Sequence, residues 1–163
     1  MELRKVTRLS MFLALAVVLN IVENVIPIFQ GVIPGVKLGL TNIVILFVLY
    51  KYGYKEALSL SVTRVILVGI LNTGLFSVAF FLSLSGALLS IIMMGLVKKL
   101  TKLSIVGVSL VGSLFHSLGQ IIVVAIMLYS FSAFNYLPIL ILFSVPTGIL
   151  TGVICKELLK YFE

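Results

Sequence analysis

Residues 103–155 read LSIVGVSLVGSLFHSLGQIIVVAIMLYSFSAFNYLPILILFSVPTGILTGVIC, a run without a single Lys, Arg, Asp or Glu. About 20 predominantly apolar residues in a helix cross a hydrocarbon core, so this run is long enough for two spans. Its natural break is Ser130-Phe-Ser-Ala-Phe-Asn-Tyr-Leu-Pro138, where small polar residues gather before a proline. The reading predicts one helix over 104–129 and another over 137–155. Upstream, Val65 to Val97 is also uncharged and breaks at Asn72-Thr73-Gly74, which predicts helices over 57–71 and 75–97. A shorter run over 38–50 ends at Lys51-Tyr-Gly-Tyr-Lys-Glu56. It is too short to cross alone at full thickness, so its outer end needs shielding by protein. The first run covers 9–28 and leads into Pro27-Ile-Phe-Gln-Gly-Val-Ile-Pro-Gly-Val-Lys37, a loop punctuated by prolines and glycines. The expected fold is an all-α integral membrane protein of six transmembrane helices, forming a single domain over 1–163.

Composition supports that class. Of 163 residues, 61% are hydrophobic and 10% charged, with a mean hydropathy of +1.31. Soluble domains carry about 25% charged residues, and a soluble core of this size would leave a large apolar surface in water. The charged start Met1-Glu2-Leu3-Arg4-Lys5 has no small-residue cleavage site after it, so the first helix is expected to be retained. The single cysteine, Cys155, excludes an internal disulfide and a multi-cysteine metal site. No Asp is present at all, which removes every chemistry built on Asp clusters. No metal site and no cofactor are expected.

The net charge of +7 follows topology rather than nucleic acid. With six helices and a cytoplasmic N-terminus, the inside segments hold Arg4, Lys5, Arg8, Lys51, Lys55, Lys98, Lys99, Lys102, Lys156 and Lys160. These are ten of the 12 basic residues, as the positive-inside rule requires of an N-in, C-in protein. Of the others, Lys37 is assigned outside and Arg64 within the membrane.

That orientation gives each polar residue a depth. Asn20, Glu23 and Asn24 lie in the outer half of the first helix, on one face. Lys37, Thr41 and Asn42 lie near the outer end of the second. Arg64 is midway along the third, with Asn72 at its outer mouth. His116 is central in the fifth helix and Gln120 is one turn higher; a lone imidazole without neighbouring ligands makes no metal site. The inner half is expected to hold almost no polar groups. Ionisable side chains inside hydrocarbon are costly and mark pathways or binding sites. The candidate substrate site is therefore Asn20, Glu23, Lys37, Asn42, Arg64, Asn72, His116 and Gln120. Two readings stay open for Glu23 and Arg64: they face a ligand, with Arg64 and Lys37 neutralising a carboxylate or phosphate, or they pair with each other. Small-residue pairs at Gly148/Gly152 and Ser10/Ala14 permit close helix contact, the second serving either a partner or internal packing.

At Pro34-Gly-Val-Lys-Leu-Gly-Leu-Thr-Asn42, after the Thr-Arg-Leu-Ser-Met-Phe-Leu-Ala-Leu-Ala helix, the chain resembles the Gx transporter family. That family is also called heptaprenyl diphosphate synthase component I, and it is similar to the S components of energy-coupling factor (ECF) vitamin transporters. The resemblance covers nearly the whole chain. It implies an S-component-like bundle in a prokaryotic cell membrane, with an outward-facing pocket capped by the first loop. It also implies a transmembrane coupling subunit and cytoplasmic ATPases as partners. In S components a first-helix Ala-x-x-x-Ala contacts the coupling subunit; here the nearest match is Ser10-x-x-x-Ala14. The chain has no phosphate-binding Gly-x-x-x-x-Gly-Lys-Ser/Thr loop of its own. Prenyl transfer from a diphosphate uses Mg²⁺ held by carboxylates, and with no Asp the chain is not expected to be an enzyme. The leading function is a substrate-binding subunit for uptake of a small anionic or amphipathic molecule. The alternatives are an accessory prenyl-lipid or quinone-binding membrane protein and, ranked last, an autonomous ion-coupled carrier, for which no inverted repeat is evident.

Overall fold

In the computed structural model, residues 3–25 and 39–162 are described. Among them are six α-helices: α1 (Leu3–Val25), α2 (Leu40–Lys51), α3 (Tyr54–Val68), α4 (Val78–Leu100), α5 (Ile105–Met127) and α6 (Leu137–Tyr161). A π-helical segment, Gly69–Thr73, extends α3, and a 3₁₀ segment, Phe131–Tyr136, precedes α6.

The breaks fall where the sequence places them, for local reasons. Gly74 takes φ +84° at the end of the π segment, a left-handed conformation that suits glycine. Ser77 then caps α4, its hydroxyl accepting from the Phe80 N–H at 3.1 Å. Ser104 caps α5 in the same way through Gly107. Pro138 sits in the first turn of α6, where its missing N–H costs no helical bond.

Among the described residues, five stretches are long and apolar enough to cross a membrane: α1, α3 with its π extension, α4, α5, and the 3₁₀ segment with α6. Their outward faces match, with Met11, Leu71, Ile126 and Leu142 all exposed. Helix α2 differs. At 12 residues it is about 18 Å long at 1.5 Å per residue, short of the core thickness. It is packed against α1, α3 and α6, and Val44 to Leu49 are buried in an unbroken run. The shielding expected for this short helix is therefore present.

The helices close into a ring in which α1 meets α3, α3 meets α4, α4 meets α5, α5 meets α6, and α2 bridges α6 back to α1. The tightest seams depend on glycine. A Cβ on Gly152 would lie 2.6 Å from the Val106 Cα, and one on Gly148 would lie 3.1 Å from the Leu110 Cα, so the Gly148/Gly152 pair seats α6 on α5. Across the other face of α5, a Cβ on Gly119 would lie 2.7 Å from the Ser85 carbonyl oxygen of α4.

The basic ends converge. Lys5 pairs with Glu56, joining the starts of α1 and α3. Lys98 Nζ donates to the Leu49 carbonyl at 2.7 Å and Lys51 Nζ to that of Phe162 at 2.6 Å, joining the ends of α4, α2 and α6. The up-and-down topology thus collects the Lys-rich segments at one end of the bundle.

Candidate functional site

The ring encloses a polar cavity to which all six helices contribute. Asn20 and Glu23 come from α1, Thr41, Asn42 and Leu46 from α2, and Arg64 from α3. The residues from α5 are Ser109, Gly112, Ser113, His116 and Ser117, and those from α6 are Leu140, Phe143, Ser144, Thr147, Gly148 and Thr151. Both sets recur at three- and four-residue spacing, so each helix turns one face inward. Helix α4 adds Ser83, Ser90 and Met94. The cavity volume is about 50 Å³, room for roughly three to five waters at about 10–15 Å³ each.

The start of α2 anchors the site. Gly39 adopts φ +80° before the first turn, and no side chain of α2 caps that turn. The cap comes from α1. Glu23 accepts from the Leu40 N–H at 2.8 Å through one carboxylate oxygen and from the Thr41 hydroxyl at 3.1 Å through the other. A carboxylate at a helix N-terminus also meets the positive end of the helix dipole. From α6, the Thr151 hydroxyl reaches the Gly39 carbonyl at 3.4 Å. The Gly-Leu-Thr-Asn42 stretch thus has a physical reading: Gly39 makes the turn, Leu40 and Thr41 receive Glu23, and Asn42 faces the cavity.

Arg64 stands apart. It is 4% exposed and lines the cavity, yet its Nε has no hydrogen-bond partner. No ion pair within 4.0 Å joins it to Glu23 or any other carboxylate among the described residues. Glu23 is near enough to act on it electrostatically, but both carboxylate oxygens are committed to α2. Direct pairing of the two, one of the readings left open by the sequence, is not what the geometry gives. The Ser90 hydroxyl is a second buried group without a partner in the cavity wall.

Of the eight candidate residues, five line the cavity: Asn20, Glu23, Asn42, Arg64 and His116. The imidazole of His116 fits against Gly86, where a Cβ would lie 2.9 Å from its Nε2. Gln120 is buried one turn above, its Nε2 3.5 Å from that nitrogen, but it is not part of the lining. Asn72 is exposed, in the π segment beyond the last buried residue of α3; matching depth did not bring it to the same face. Lys37 lies outside the described residues.

The hydroxyls were missed. Ser109, Ser113 and Ser117 on α5 face Ser144 and Gly148 on α6, with Ser109 donating to the Gly148 carbonyl and Ser113 to that of Ser144, both at 2.8 Å. Ser109 lies near the start of α5, so polar lining reaches further toward the basic end than expected. The four-residue spacing of those serines was the available signal. Ser10 and Ala14 are both exposed on α1, which excludes internal packing as their role.

The sole carboxylate of the cavity gives a direct prediction. Glu23→Gln keeps the shape but removes the charge from two hydrogen bonds, and bonds to charged groups are worth about 1.5–3 kcal/mol each. Retaining neutral bonds offsets part of this. Thermal unfolding in detergent should show a loss of about 1–2 kcal/mol; an unchanged midpoint would show that the cap contributes nothing.

The family model described as heptaprenyl diphosphate synthase component I matches residues 12–158. No curated protein and no solved structure matches the chain.

Proposed function

The chain belongs to the heptaprenyl diphosphate synthase component I family, and from the chemistry of its cavity we propose that it is a substrate-binding membrane subunit, similar to the S components of ECF transporters, that captures a small anion. The observation that carries this reading is Arg64, a buried guanidinium on the cavity wall that makes no ion pair within 4.0 Å with any carboxylate among the described residues. Such a charge is costly in a low-dielectric interior and is offset when an anion binds. Arginine offers a planar fork suited to carboxylate or phosphate. In this reading Asn20, Asn42, His116 and Ser90, which also line the cavity, orient the remainder of the molecule.

In this reading the basic end of the bundle is cytoplasmic, following the positive-inside rule, and the α1–α2 end faces outward. Transport is energised by a coupling subunit and ATPases that dock from the cytoplasmic side, with the exposed Ser10/Ala14 face of α1 as their contact. The protein itself catalyses no reaction. Ligand pockets of roughly 300–1,000 Å³ are usual for larger molecules, so a cargo above phosphate size requires the helices to part. The second reading, an accessory prenyl-lipid or quinone-binding membrane protein, is favoured by the family's description and by the match between Arg64 and a diphosphate. A lining rich in hydroxyls and a cavity of about 50 Å³ favour the small polar ligand instead.

Native mass spectrometry of the full chain in mild detergent tests this. One small anion per chain is the expected adduct. A polyisoprenoid adduct would move the function to the second reading, and no adduct after supplementation with a library of small carboxylates and phosphates would remove the first.

A further inference from the structure

On the outer side of the bundle, sharing no residue with the cavity, a groove of about 310 Å³ runs between α1 and α3 at the basic end. One wall is the apolar stripe Val6, Leu9 and Leu13, three to four residues apart on α1. The other wall carries Lys55 in the first turn of α3, with Ser59 one turn beyond it.

Charge and hydrogen bonding both single this groove out. Glu56, its one acid, is neutralised by Lys5, while Lys55 is exposed and forms no ion pair among the described residues. Ser10, Ser59 and Thr63 all face the groove. A helical Ser or Thr commonly returns its hydroxyl to its own backbone, as Thr147 and Ser144 do here, yet none of these three is in such a bond. They lie along an apolar wall, with donors to spare, beside an unpaired cation.

We propose that this groove binds an anionic phospholipid. Lys55 holds the headgroup phosphate. Ser59, four residues along α3 and about 6 Å deeper at 1.5 Å per residue, donates to a glycerol ester carbonyl. One acyl chain lies on Leu9 and Leu13. Basic pockets between membrane helices on the cytoplasmic side have this selectivity for acidic headgroups. Charge complementarity decides the occupant: a zwitterionic lipid adds a second cation beside Lys55, and a purely apolar partner helix leaves Lys55 and three hydroxyls unmatched.

The test uses purified, delipidated full-length protein titrated with phosphatidylglycerol or phosphatidylcholine of the same acyl chains, read by native mass spectrometry. Phosphatidylglycerol should be retained preferentially. Lys55→Gln should reduce its retention about five-fold, the equivalent of about 1 kcal/mol for one basic residue at the membrane surface. Leu13→Trp, which fills the groove, should reduce both lipids, and Lys102→Gln, on the α4–α5 turn, should change neither. Equal retention of the two lipids, or retention of phosphatidylglycerol indifferent to both Lys55→Gln and Leu13→Trp, would overturn the proposal. So would a Ser59→Cys variant, on the α3 wall away from the Ser10/Ala14 face, that crosslinks to a co-expressed protein while no lipid is retained, since a protein would then occupy the groove.

Discussion

Gly152→Leu is expected to destabilise the bundle more than any conservative change in the cavity. A Cβ there already comes within 2.6 Å of the Val106 Cα and 3.0 Å of the Ser109 Cβ. The first of these atoms is backbone, so relief requires α6 to move away from α5. That movement also stretches the 2.8 Å bond from Ser109 to the Gly148 carbonyl. Overpacking of this kind costs about 1–3 kcal/mol and occasionally more. With about 2–4 °C lost per kcal/mol for chains of 150–250 residues, a fall of roughly 6–12 °C in detergent corresponds to a cost of about 3 kcal/mol. Gly107→Ala is the contrast. Its Cβ would meet the Leu103 side chain first, at 3.3 Å, and in the first turn of α5 glycine costs at most the roughly 0.5–1 kcal/mol it costs relative to alanine in mid-helix. The variant should be neutral or slightly stabilised. Equal behaviour of the two variants would contradict the close α5–α6 seam.

Arg64→Met should separate stability from binding. The guanidinium is buried without an ion-pair partner among the described residues, so in the ligand-free protein it is a burden. Replacing buried ionic groups with apolar residues of similar volume is often neutral or stabilising by about 1–4 kcal/mol. The ligand-free variant should therefore melt at the same temperature as the parent or higher. Its affinity for the anion should fall by about 2–5 kcal/mol, the cost of truncating one partner of a buried charge pair, or roughly 30- to 5,000-fold. An Arg64 serving only to tie helices together predicts the reverse, with a lower melting temperature and unchanged binding.

Much of the fold was legible because charges and turn residues punctuate an apolar chain. The uncharged run from Leu103 to Cys155 divides at its 3₁₀ segment as expected, and Gly74 takes the positive φ that ends the third helix. Depth was legible too, since Asn20, Asn42, Arg64 and His116 do meet in one cavity. Facing was not. Asn72 is expected at the outer mouth of the third helix, yet it is exposed on a π segment whose rotation a sequence does not declare. Glu23 lines the cavity and also caps α2, a second role that depends on the register between α1 and α2. The serines of α5 and α6 escaped notice because hydroxyls are ordinary in membrane helices; only across the Gly148/Gly152 seam do they become a polar wall. The Gly39–Asn42 stretch shows the opposite case, a motif noticed for its resemblance in which Gly39 and Thr41 prove to have mechanical reasons, the turn and the bond to Glu23.

In the proposed function Arg64 is held for a ligand rather than for the fold. Wild type and Arg64→Met, purified in parallel, decide it by native mass spectrometry and thermal unfolding on the same samples. The expected result is a small-anion adduct on the wild type, none on the variant, and a variant at least as stable once the wild type is stripped of ligand. A variant that keeps the adduct while unfolding at a lower temperature would contradict it.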